Sequence, residues 1–148
     1  MSNQIIKSVI VEGIAMHNYL RWADFESFPK FMKEIKSVEK IGDNTYHWIM
    51  QAPIGTNIEW YTEVTRWDEG KRIAWHSIGG DIKTSGQVTF TALSNAETEV
   101  TIMVHYAPAA DLDEALTADL FSNIDERVGR TLRNFKALVE GMPQRIEV

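Results

Sequence analysis

Residues 44–78 read NTYHWIMQAPIGTNIEWYTEVTRWDEGKRIAWHSI. Three runs in this stretch repeat every second residue: Tyr46, Trp48 and Met50, continued by Ala52; Ile58, Trp60, Thr62 and Val64; Ile73, Trp75 and Ser77. The alternate positions are mostly polar, among them Glu59, Glu63 and His76. A period of two belongs to β-strands with one buried face, because successive side chains leave a strand on opposite sides. Pro53-Ile54-Gly55 and Asp68-Glu69-Gly70 separate the runs and have the chemistry of turns. The stretch therefore reads as part of an antiparallel meander.

The same reading extends in both directions. Strands are predicted over 35–41, 44–52, 57–68, 71–78, 83–93 and 98–107, with further turns at Gly42-Asp43-Asn44, Gly79-Gly80-Asp81 and Ser94-Asn95-Ala96. Upstream, QIIKSVIVE (4–12) is β-branched and reads as one more strand, closed by Gly13. Residues 15–23 then place Ala15, Tyr19 and Trp22 on one helical face. Phe25, Phe28 and Phe31 follow at steps of three around Pro29, which predicts two brief helical turns. Downstream, Pro108 ends the last strand and Asp111 with Glu114 forms a capping box. Leu116, Leu120, Ile124, Val128, Leu132, Phe135 and Val139 make an amphipathic stripe that stops at Gly141-Met142-Pro143, predicting a helix over 112–140 with a potential break at Ser122-Asn123. The order of elements is α+β, with helices segregated from an antiparallel sheet.

A length of 148 residues closes one core, and with no linker or repeat the chain reads as a single domain, 1–148. A net charge of −6 disfavours binding to phosphate backbones, so no nucleic-acid partner is expected. No cysteine is present, which removes thiolate catalysis, disulfides and Cys-based zinc sites. No apolar run reaches transmembrane length and residues 1–4 do not resemble a signal peptide, so the expectation is a cytoplasmic protein without an integral membrane segment. Nothing in the sequence sets the oligomeric state.

The stretch Trp22-Ala23-Asp24-Phe25-Glu26-Ser27-Phe28-Pro29-Lys30-Phe31-Met32 resembles the signature of the polyketide cyclase/dehydrase branch of the START-like (Bet v 1-like, SRPBCC) superfamily. Ile58-Glu59-Trp60, Ile73-Ala74-Trp75-His76-Ser77, Ser85-Gly86-Gln87-Val88-Thr89-Phe90, Tyr106-Ala107-Pro108 and Leu132-Arg133-Asn134-Phe135-Lys136-Ala137-Leu138 agree in order, so the resemblance covers nearly the whole chain. It implies a helix-grip fold: a curved seven-stranded sheet around a long C-terminal helix, with a ligand cavity between. Two positions depart from the pattern. Gly13-Ile14 replaces a common Ala-Pro pair, and Asn18 replaces an apolar residue, adding a polar group expected near the cavity mouth.

A curved sheet and one helix cannot touch everywhere, so large side chains or a ligand must fill the remaining space. Strand parity nominates Tyr46, Trp48, Met50, Trp60, Thr62, Trp75, Ser77, Phe90 and Tyr106 as ligand-binding residues. Such a lining suits a hydrophobic or aromatic small molecule in a pocket of roughly 300–1,000 Å³. Tyr and Trp carry polar handles that a sealed core rarely accommodates. His47, His76 and His105 have the opposite parity, and no metal motif occurs, so neither a metal nor another cofactor is expected. Inward donors for an enzymatic role are Tyr46, Thr62, Ser77, Tyr106 and Arg66, none an effective general base near neutral pH, and no catalytic residue is assigned. Three readings stay open. The first is a binding protein for a polyketide, lipid or quinone. The others are a polyketide cyclase/dehydratase and an interaction module whose cavity is filled.

Overall fold

A computed structural model describes residues 3–51, 57–108 and 124–141. Seven strands form one antiparallel sheet: β1 (Asn3–Glu12), β2 (Ile35–Lys40), β3 (Thr45–Gln51), β4 (Asn57–Asp68), β5 (Arg72–Gly80), β6 (Ile82–Ala92) and β7 (Glu97–Pro108). Their order across the sheet is β1-β7-β6-β5-β4-β3-β2. Consecutive strands pair from β2 to β7, and β1 closes the sheet against β7. Helix α1 (Ala15–Ala23) and a 3-10 helix (Phe25–Lys30) follow β1, and α2 (Ile124–Gly141) comes last. This is the curled sheet and C-terminal helix of the α+β helix-grip fold. The predicted start of the last helix, with its capping box and Leu116 and Leu120, lies outside the described residues.

The helices sit on the sheet by their apolar stripes. On α2, Leu132, Phe135 and Val139 are buried, while Val128 packs against the core half-buried. Polar contacts fix its position beside β1. Lys136 Nζ donates to the Ile10 carbonyl at 2.7 Å, and Glu12 N donates to Glu140 at 3.0 Å. Asn134 Nδ2 donates to the Phe31 carbonyl at 2.9 Å, tying α2 to the chain after the 3-10 helix. These bonds give Lys136 a structural task within the fold. On α1, Asn18, Tyr19 and Trp22 are buried. Where the sequence predicts two brief turns around Pro29, the structure has one six-residue 3-10 run, Phe25–Lys30, which contains Pro29 and is capped by Phe31.

Three bulges interrupt the ladders, at Lys36, Thr65 and Ile78. They are visible where Ile35 pairs with Met50 but Ser37 with Ile49, where Val64 pairs with Trp75 but Arg66 with Ala74, and where Tyr61 pairs with Gly79 but Thr62 with Ser77. A bulge inserts one residue and flips the facing of the residues beyond it. No helix among the described residues is long and apolar enough to cross a membrane.

Candidate functional site

The concave face of the sheet carries Trp48, Trp60, Thr62, Val64, Trp75, Thr84 and Ile102. Trp48 and Trp60 are cross-strand partners whose rings stack at 5.7 Å and 11°. The indole N–H of Trp48 donates to Thr62 Oγ1 at 2.9 Å, so the hydroxyl satisfies a half-buried donor and fixes the stack. Opposite them stand Trp22 of α1, Phe25 and Phe28 of the 3-10 helix, Met32, and Thr131 of α2. Phe28 meets Trp22 at 5.5 Å and Trp48 at 5.4 Å, both edge to face. A cavity of about 140 Å³ remains between the two sets.

The cavity is smaller than the 300–1,000 Å³ expected from the sheet residues. The physical reason lies in the helical aromatics. Trp22, Phe25 and Phe28 project into the concave face and occupy much of it, a role that strand parity cannot show. Apolar cavities of about 150 Å³ accept benzene, so the present space is that of one ring.

Four of the nine nominated residues line this cavity: Trp48, Trp60, Thr62 and Trp75. Tyr46 faces the same way but is covered by Phe25, ring to ring at 5.0 Å. Burial first, and then the Glu26 and Asp24 carboxylates, push its phenol up, so it stays neutral near pH 7. Phe90 is covered by Tyr19 at 5.8 Å and Trp22 at 6.5 Å. Met50 packs half-buried against the core beyond the cavity wall. Ser77 and Tyr106 line a separate cleft of about 540 Å³ at the ends of β5, β6 and β7. Arg66 points away from the concave face: the bulge at Thr65 aligns it with Ala74, and its Nε pairs with Asp68 at 2.7 Å. Trp67 takes the inward place and donates to Asn44 Oδ1 at 2.9 Å. Asn18 is not part of the cavity wall; it is wholly buried under α1, where its Nδ2 donates to the Ile14 carbonyl at 3.2 Å.

Parity missed Trp22, Phe25, Phe28, Met32, Thr84 and Thr131. Thr84 continues the inward series Gly86, Val88 and Phe90 backwards by two, and Thr131 adjoins Leu132 on the apolar stripe, so both carried a usable signal. The histidines of the strands remain on the convex face despite the bulges. His47 pairs with Glu59 at 2.9 Å and stacks on Tyr61, His76 pairs with Glu63 at 3.1 Å, and His105 meets Gln4. Among the described residues, no three His, Asp or Glu side chains converge as a metal ion would require. The described cavity wall contains no Asp, Glu, His, Lys, Arg or Tyr. Its chemistry is that of aromatic faces, aliphatic groups and three threonine hydroxyls.

Comparison with known proteins agrees with this fold. A protein of known structure from Deinococcus radiodurans is 28% identical, with a TM-score of 0.73 over 95% of this chain and 99% of its own. The Zhui aromatase/cyclase from a Streptomyces species superposes with a TM-score of 0.79 at 13% identity, over 95% of this chain and 94% of its own. A START superfamily protein from Mycobacterium smegmatis superposes at 0.68 with 18% identity, over 93% of this chain and 94% of its own. At such identities the last two show the fold alone. Residues 17–136 match the pattern of the family described as polyketide cyclase / dehydrase and lipid transport, and the chain belongs to that family.

Proposed function

We propose that this chain binds a hydrophobic, ring-containing small molecule in the cavity between the Trp48–Trp60 stack and the 3-10 helix. The observation that carries this reading is the cavity itself: about 140 Å³ walled by four tryptophans and two phenylalanines. Aromatic walls of this kind favour a flat apolar guest, through area removed from water and through offset or edge-to-face ring contacts. Acid–base turnover draws no support from the described wall, because a cyclisation or dehydration needs a general base as well as a donor, and the wall offers threonine hydroxyls but no Asp, Glu, His, Lys or Tyr. The aromatase/cyclase named above has this fold, and its chemistry is not carried over with it.

Titration of the intrinsic tryptophan emission with single-ring hydrophobic compounds tests the reading. Saturable quenching is expected. Trp75→Ala should weaken it by a lost contact worth on the order of 1–3 kcal/mol. If Trp75→Ala instead costs roughly 3–5 kcal/mol of stability and wild type binds nothing, the space is ordinary core packing and the proposal fails.

A further inference from the structure

The ladder between β5 and β6 stops early. Arg72 to His76 pair with Thr89 to Ser85 in register, and the next pair, Ser77 and Thr84, is not joined backbone to backbone. Instead Thr84 N donates to the side-chain Oγ of Ser77 at 3.1 Å. Beyond this point β5 follows β4, with Gly80 opposite Trp60, while β6 follows β7, with Ile82 opposite Pro108. Asp81 at the hairpin tip is held to β4, donating its N–H to the Glu59 carbonyl and accepting from Glu59 N. Gly80 permits this, at φ +109°, where a Cβ would collide with the Trp60 backbone. The sheet is therefore split, and the cleft of about 540 Å³ lies along the split.

Among the described residues, Thr84 alone borders both the aromatic cavity and this cleft. The cleft differs chemically from the cavity. Its described wall carries Lys83, two histidines and four hydroxyl groups, and no carboxylate, although the protein as a whole has net charge −6. Lys83 is exposed and has no acidic partner among the described residues. His76 contacts Glu63 and His105 contacts Gln4, and Lys83 is the one Lys or Arg of the described cleft wall.

We infer that the cavity and the cleft are two compartments of one site, taking a single aromatic ring with a short tail that passes Thr84 and ends in a carboxylate near Lys83. This inference rests on the proposed binding function and specifies its ligand class. The ring fills the space that one benzene requires, and the tail exchanges water for the Ser77 and Thr84 hydroxyls and the Lys83 charge.

Calorimetric titration with ethylbenzene, 4-phenylbutan-1-ol and 4-phenylbutanoate tests it. The carboxylate should bind about three- to fivefold more tightly than the alcohol, the scale of an exposed ion pair, and the alcohol more tightly than ethylbenzene. Lys83→Gln, at an exposed position, should equalise the acid and the alcohol. If all three bind alike, or if Lys83→Gln leaves the acid's preference intact, the two-compartment site is refuted while the binding function stands. If none of the three binds, both are refuted.

Discussion

Removing the ring of Phe28 tests whether the helical aromatics set the cavity size. Phe28 is 4% exposed and touches Trp22, Phe25, Phe31 and Trp48 through its ring. Phe28→Ala deletes one benzene-sized group from the wall and adds on the order of 100 Å³ to the cavity of about 140 Å³. At about 24 cal/mol per Å³, the void alone costs about 2.4 kcal/mol. With the lost transfer free energy the total falls in the range of roughly 3–5 kcal/mol. For a chain of this size, that corresponds to a fall in melting temperature of about 10–15 °C. The same variant should gain affinity for two-ring compounds such as naphthalene, and added naphthalene should recover part of the lost melting temperature by mass action. A calorimetric scan with and without naphthalene reads both effects. A variant that melts within about 2 °C of wild type and ignores naphthalene would refute the claim that Phe28 occupies the concave face.

Other perturbations act on the same packing. Leu132→Asp places an unpaired carboxylate at a site 2% exposed and should cost several kcal/mol in urea denaturation, or prevent folding. Thr62→Val removes the acceptor for Trp48 Nε1 and should cost about 1–3 kcal/mol, with a shift in tryptophan emission as the stack loosens. Burial alone would raise the pKa of Glu140, but its bonds from Lys136 and Glu12 N, with the Lys136 charge, hold it below its ordinary 4.5. A lowered folded-state pKa gives stability that is present above the ordinary value and lost as pH falls through the folded one. Wild type should therefore exceed Glu140→Gln in stability at neutral pH, and the two should converge below pH 4.5, measured by denaturation across pH.

The sheet was legible because alternation is a direct consequence of one-sided burial. Tyr46-x-Trp48-x-Met50 and Ile58-x-Trp60-x-Thr62-x-Val64 admit one facing, and each predicted strand lies within two residues of an observed one at either end. The stripe of Leu132, Phe135 and Val139 was equally direct. Parity failed where it changed without a mark in the sequence. The bulge at Thr65 has neither Gly nor Pro to announce it, and it moved Arg66 outward and Trp67 inward. Ser77 and Tyr106 kept the expected parity but lie where the sheet has split, which depends on Gly80 and on the Asp81–Glu59 hydrogen bonds. The size of the cavity depended on a third kind of information. Phe25 and Phe28 are spaced as helical residues, and nothing in that spacing says how far their rings reach across the sheet.

Crystals of the protein grown with iodobenzene offer the most direct measurement, because anomalous scattering locates the iodine without reference to any assumed site. One strong peak is expected in van der Waals contact with Trp48, Trp60 and Trp75, with the ring density lying beside the Trp48–Trp60 stack. Peaks confined to exposed apolar side chains such as Ile14, Met16 and Leu20, with the central cavity free of iodine at saturating ligand, would contradict the assignment of this cavity as the binding site.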